Sequence, residues 1–188
     1  MTGVHTQHLQ QTQRKKVKEM SKKYFAYGSN MALRRMKQFI PQAEPIGPGQ
    51  LLDHSLKFTD PLDEEFRRQW GGAPANVYTT EGQSVWGVVY DVAETQFSVM
   101  DKLEQGYQRV LLPVLVNEVV EEMWLYKLFE ERFEDREQAV PKPGRQYMRL
   151  LIEGARQHAL PREYIEFLGA IETEGNADLG DFHQSQHT

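Results

Sequence analysis

No cysteine occurs anywhere in the 188 residues. That excludes a disulfide framework, a thiol nucleophile and any thiolate metal ligand. Long apolar runs are missing as well: no stretch comes near the roughly 18 residues a membrane-spanning helix needs. The N-terminus is polar and has no apolar signal core, which argues against export. The six histidines include His5, His8, His183 and His187 near the two ends, and none has metal-ligand spacing, so no metal is expected. Positive charge is scarce and badly distributed. Residues 1–21 hold Arg14, Lys15, Lys16 and Lys18 against Glu19, a net of +3, which leaves −8 on the rest of a chain whose formal total is −5. An acidic body of that kind repels nucleic acid and anionic lipid.

What is present suffices for one buried core: 39% hydrophobic and 11% aromatic residues in a length that suits a single domain. Residues 1–21 read as a flexible leader, 22–172 as the domain and 173–188, rich in Gly, Gln and His, as a flexible tail. The chain is organised around Tyr24-Phe-Ala-Tyr-Gly-Ser-Asn-Met31. Tyr24 to Tyr27 suit a short strand, Gly28 a tight turn, and Met31 to about Ile40 a helix capped by Ser29 or Asn30 and ended by Pro41. Such a turn aims several backbone N–H groups at one spot, which suits a carboxylate or a developing oxyanion. On these residues alone an ordinary strand-to-helix turn that binds nothing is the stronger reading. Gly28 belongs to no phosphate-cradling glycine loop, and Tyr27-Gly28-Ser29 is no nucleophile elbow.

Downstream, the prolines and glycines from Pro41 to Gly49 predict a loop, and Gln50 to Thr59 a strand. Asp60 to Gln69 reads as a charged surface excursion. The small residues of Gly71 to Val77 allow a close backbone approach. Ala75–Thr79 and Ser84–Asp91 flank Thr80 to Gln83 as a hairpin would, and Val85 to Tyr90, apolar on both faces, predicts a central strand with Gly87 packed tightly against a neighbour. Phe97, Met100 and Leu103 mark a short helix that ends at Gly106. Val110 to Val120 predicts an edge or bulged strand because of Pro113, and Met123 to Phe129 another strand. Residues 118–138, with eight acids and three bases, read as a solvated strand end and loop. Tyr147, Leu150, Leu151, Gly154 and Ala155 share one helical face, and Tyr164, Ile165, Leu168 and Ile171 mark a second helix after Leu160-Pro161. Strands in the middle with helices inserted and at the end give an α+β fold, a mixed sheet closing into a small β-barrel with flanking helices.

Several of these stretches also resemble, in order, motifs of the γ-glutamylcyclotransferase (AIG2-like) family. They are Tyr24–Met31 with its Tyr27-Gly28-Ser29-Asn30 signature, Gly71–Val77, Val85–Tyr90, Asp101-Lys-Leu-Glu104, and Tyr147 ahead of Gly154-Ala155 and Leu160-Pro161. The resemblance covers roughly residues 24–170 and points to the branch acting on γ-glutamyl amino acids. It implies an intramolecular aminolysis: the α-amine of a γ-glutamyl group attacks its own γ-carbonyl, 5-oxoproline forms, and an amino acid or amine leaves. It also implies Glu104 as general base and backbone N–H groups around Tyr27 to Asn30 as oxyanion donors. Tyr27, Gly28, Ser29, Asn30, Met31 and Tyr147 are implied as substrate contacts. No cofactor and no metal are implied; the expected partner is a small γ-glutamyl substrate in a cytoplasmic protein, with neither nucleic acid nor membrane, and a homodimer is left open.

One departure from the family pattern stands out. Gln105 follows Glu104 where the family has glycine, and Tyr107 comes only three residues after the glutamate. A shortened turn opens or reshapes the pocket wall. That keeps two alternatives in view: a module that binds γ-glutamyl carboxylates without turnover, and a cyclotransferase for a γ-glutamyl amine or a carrier-bound γ-glutamyl group. A weaker third is an interaction protein using the basic leader.

Overall fold

A computed structural model of the chain describes residues 21–59, 68, 71–104, 106–128 and 141–174. Five strands among them form a closed barrel in the order β1-β3-β2-β4-β5. They are β1 (Ser21–Ala26), β2 (Glu44–Phe58), β3 (Ala75–Ala93), β4 (Tyr107–Val116) and β5 (Val119–Leu128). Neighbours are antiparallel except where the ring shuts, at a parallel contact of β1 with β5 through Tyr24 and Trp124. Short helices interrupt the strands: α1 (Leu33–Phe39), α2 (Phe97–Leu103), α3 (Arg145–Gln157) and α4 (Arg162–Ala170). No helix among the described residues is long and apolar enough to cross a membrane.

The expected central strand lies between β1 and β2, with Val85, Val88, Val89 and Tyr90 fully buried. Gly87 explains how β1 comes so near: a Cβ there would lie 2.3 Å from the Ala26 carbonyl oxygen and 2.7 Å from the Phe25 ring. Behind the end of β1, α3 covers the next turn. Its Gly154 faces Met31 and Ala32 so closely that a Cβ would meet the Met31 carbonyl carbon at 2.3 Å.

Several elements differ from the sequence reading. The proline-rich start of β2 is strand, not loop. It pairs with β3 from Glu44 on and with β4 only at Gln50 and Leu51, so Pro45 and Pro48 sit where one side of the strand has no ladder to break. The expected hairpin at Thr80 to Gln83 is a bulge. Leu52 opposes Ser84 and His54 opposes Thr79, so residues 80–83 face Asp53 alone. Asp53 and Gly82 take up the strain at φ 53° and 73°, and the Gly82 N–H donates to Asp53 Oδ1 at 2.9 Å.

The predicted strand Val110–Val120 is two strands. The chain reverses at Asn117 and Glu118, both at positive φ, and Val119 returns opposite Val116. The strand expected at Met123 to Phe129 is β5 and starts four residues earlier, so residues 119–122, read as a solvated strand end, belong to the barrel wall. The leader up to residue 20, most of the excursion at 60–69, residues 129–138 and the tail from 175 lie outside the described residues.

Candidate active site

Beyond β1 the chain passes through Tyr27 and Gly28 into a 3-10 turn, Ser29–Met31. The helix cap expected from Ser29 or Asn30 is not made: α1 begins after Ala32, with no side-chain cap bond. Both side chains are engaged elsewhere. Ser29 Oγ accepts a hydrogen bond from Arg35 Nε at 2.9 Å, and Asn30 Nδ2 donates to Glu104 Oε1 at 2.7 Å and to the Tyr24 hydroxyl at 3.1 Å. Glu104 stands at the C-terminal end of α2. An amide on the opening turn thus holds a carboxyl group that arrives 74 residues later.

Tyr27, Gly28, Ser29, Asn30, Glu104 and Tyr147 line one small cavity of about 30 Å³, six of the seven residues expected there. The seventh, Met31, is not in its lining. It is fully buried beneath Gly154, and its carbonyl accepts from the Tyr90 hydroxyl at 3.0 Å. Four further residues complete the wall: Tyr24, Ala75, Tyr107 and Tyr126. In sequence, Tyr126 read only as a strand residue, Tyr24 only as the start of the opening strand, and Ala75 only as one of the small residues of Gly71 to Val77 that allow a close backbone approach. Tyr107 carried a signal, its place so soon after Glu104, and the expectation drawn from it was an opened or reshaped wall. In the fold Tyr107 fills that wall, and its hydroxyl donates to the Ala75 carbonyl at 3.0 Å.

The electrostatics separate one group from the rest. Burial pushes the Glu104 carboxyl above the ordinary carboxylate value, while the charge of Arg35 and the Asn30 hydrogen bond pull it back. Burial likewise raises the phenols of Tyr24, Tyr27 and Tyr107 well above their ordinary value, with the Glu104 charge adding to it. Tyr147 is pushed up by burial to about 12, held back by the backbone N–H groups of Ala75 and Ser29. At neutral pH these phenols are protonated, so Glu104 is the wall residue poised to exchange a proton. The Ala75 N–H donates to Tyr147 Oη at 3.1 Å. Two backbone donors therefore meet on a phenol oxygen, not on an open oxyanion position. No cluster of three or more His, Cys, Asp or Glu with metal-binding geometry occurs among the described residues.

Comparison with known proteins identifies the family. The AIG2-like family model matches residues 84–168. Bovine and human γ-glutamylcyclotransferase are each 30% identical to the chain over 149 residues, covering 79% of it and 78% of the relative. The chain belongs to the γ-glutamylcyclotransferase family. A solved structure of a γ-glutamyl cyclotransferase superimposes with a TM-score of 0.74 at 27% identity, covering 84% of this chain and 91% of that one. The shared architecture includes the mixed five-stranded sheet and its flanking helices.

In this member of the family a second layer fixes α2 in place. Tyr126 donates its hydroxyl to Asp101 Oδ1 at 2.7 Å, and Arg109 approaches Asp101 at 3.6 Å. The Arg109 guanidinium lies 5.0 Å from the Phe97 ring centre and 5.1 Å from that of Trp124. Asp101 thus ties the helix carrying Glu104 to β5. Asp101→Ala is expected to lower stability by about 1 kcal/mol, the net worth of such a bond, as a lower denaturation midpoint at unchanged slope. An unchanged midpoint would show that the tie carries no energy.

Proposed function

We propose that the protein is a γ-glutamylcyclotransferase that converts a γ-glutamyl amide to 5-oxoproline and releases an amino acid or amine. The observation that carries this reading is the 2.7 Å hydrogen bond between Asn30 and Glu104, which sets the carboxyl group against the opening turn across one cavity. In the reaction the α-amine forms a bond to the γ-carbonyl carbon, and the bond from that carbon to the departing nitrogen breaks. The nucleophile belongs to the substrate, so no serine, cysteine, cofactor or metal is required of the protein. Holding the folded-back conformer can supply about 7–11 kcal/mol of the barrier at best.

Proton transfer falls to Glu104. Free α-amines titrate near pH ~8, so the substrate enters mostly as ammonium and must lose a proton. Glu104 takes it and returns it to the leaving nitrogen. Its raised pKa narrows the gap to the substrate amine and makes the first transfer easier. Tyr147, its oxygen already bonded by the Ala75 N–H, turns its hydroxyl hydrogen toward the substrate. The remaining N–H groups around Tyr27 to Asn30 complete the stabilisation of the tetrahedral oxyanion.

The cavity, at about 30 Å³, is far below the ~300 Å³ of a pocket that swallows a whole ligand. Only the reacting end of the substrate fits, and the leaving group projects outward. The enzyme would then accept both γ-glutamyl amino acids and γ-glutamyl amines. The reading places a small molecule as partner in a cytoplasmic setting; the acidic body argues against nucleic acid and membrane.

The test is release of 5-oxoproline from γ-glutamyl-alanine and from a set of other γ-glutamyl amides and amines. None formed from any of them rejects the proposal. Binding of 5-oxoproline without turnover would instead favour the non-catalytic module. The pH profile gives a second check. Glu104 must be ionised to accept the proton, so kcat/KM falls on the acid side as pH drops through its pKa. That limb should lie above the ordinary carboxylate range; a limb at the value of a solvated glutamate would contradict a buried base.

A further inference from the structure

Ser29 is held from two sides. Its backbone N–H faces the Tyr147 phenol, and its hydroxyl accepts from Arg35 Nε at 2.9 Å. Ser29 is 4% exposed and lines the cavity, whereas Arg35 projects from α1, stands outside the lining, and stacks its guanidinium 5.3 Å from the Phe39 ring centre. A hydroxyl that accepts from a guanidinium becomes a stronger donor through its own hydrogen. The Arg35–Ser29 pair therefore delivers part of a positive charge to the cavity wall without placing a cation in it.

The rest of that wall supplies no positive charge. Glu104 brings a carboxyl group, and the surrounding groups are phenols: Tyr24 and Tyr27 from β1, Tyr107 from β4, Tyr126 from β5 and Tyr147 from α3. Yet a γ-glutamyl group carries a carboxylate on the same carbon as its attacking amine. Wherever that amine meets Glu104, the substrate carboxylate comes within a few ångströms of a like charge. Arg35 is near enough for its charge to act on Glu104 and on the phenols of Tyr147, Tyr24 and Tyr107 as well.

We propose that Arg35, acting through the Ser29 hydroxyl, is the positioning residue that selects the α-carboxylate of the γ-glutamyl group. The nature of the ligand rests on the cyclotransferase reading above; the relay itself rests on the Arg35–Ser29 geometry. Selection of this kind would make compounds lacking the carboxylate poor ligands even where they can close the same ring.

The test uses two ligands that differ only in that group, 5-oxoproline and 2-pyrrolidinone. Their dissociation constants are measured by NMR titration on the wild-type chain, Arg35→Gln, Arg35→Lys and Ser29→Ala. The wild type should prefer 5-oxoproline, and Arg35→Gln should narrow the preference by about 10- to 100-fold, the range of a hydrogen bond to a charged group. Arg35→Lys keeps the charge but not the geometry at Nε, so it should restore only part. Ser29→Ala keeps the guanidinium and removes the relay, and it should narrow the preference as well, which covers the case in which Arg35→Gln fails to fold.

Equal weakening of both ligands would show a merely structural role and overturn the proposal. So would an unchanged ratio, or a wild type that does not prefer 5-oxoproline. Turnover is followed separately, with γ-glutamyl-alanine against 4-aminobutanoyl-alanine, whose amine closes the same ring to give 2-pyrrolidinone. No turnover of either, with the ligand preference present and reduced in Arg35→Gln, would defeat the cyclotransferase reading and leave this one standing.

Discussion

Glu104→Gln is expected to lower kcat by about 10²–10⁴-fold, the usual worth of a positioned general base, and to leave the fold as stable as before or more so. The two halves of that result have one cause. Glutamine keeps an oxygen for the Asn30 amide, which donates to Glu104 Oε1 at 2.7 Å, so the geometry of the turn survives. What disappears is a buried group that prefers to be neutral. A carboxyl whose pKa is raised by folding holds its proton more tightly in the folded chain than in the unfolded one. Its contribution therefore favours the fold at low pH and turns against it as pH rises through the folded value. Above that value the wild type carries a desolvated charge that the variant lacks. Thermal unfolding at neutral pH, paired with 5-oxoproline release, measures both halves. A variant that is markedly less stable, or one with undiminished kcat, would remove Glu104 from the proposed role.

Gly154→Ala is expected to destabilise by about 3 kcal/mol, the upper end for overpacking, and to lower Tm by roughly 6–12 °C. Intrinsic propensity points the other way, since alanine in a helix interior is better than glycine by about 1 kcal/mol. Contact decides. An added Cβ would lie 2.3 Å from the Met31 carbonyl carbon and 2.5 Å from the Ala32 nitrogen, both backbone atoms that no rotamer can move. Relief requires α3 to move off the turn. Because α3 carries Tyr147 and the turn carries Ser29 and Asn30, the shift also spoils the site, and displacements of about 1 Å can cost 10²-fold in rate. Gly169→Ala in α4 is the control, with nothing within 4 Å of the new carbon. It should be neutral or slightly stabilising. Equal behaviour of the two variants would show that the close approach at Gly154 is soft.

The sequence reading succeeded where local pattern and burial agree. Val85 to Tyr90 is apolar on both faces because both are covered, Val85 and Val89 on one and Val88 and Tyr90 on the other being fully buried, and Tyr147, Leu151, Gly154 and Ala155 share the buried face of α3. It failed where a rule of local propensity yields to pairing. Pro45 and Pro48 look like breakers until β2 is seen to lack a second neighbour there. Glu118 is an unlikely residue for positive φ, so the reversal at Asn117 had no Asn-Gly signal.

For the site, Glu104 and the turn were legible as a motif. Tyr24, Tyr107 and Tyr126 were not, because each comes from a strand whose inward face only the closed ring defines. Arg35 was one base in a helix of several, and only its bond to Ser29 sets it apart.

Tyr24 has two duties that bear on how this protein comes into being. It supplies the register at which the first and last strands meet, and its hydroxyl accepts from the amide that grips the acidic group. Shutting the ring and assembling the reaction chamber are then a single event. A chain halted one step short would hold each necessary residue and still have nowhere to bind.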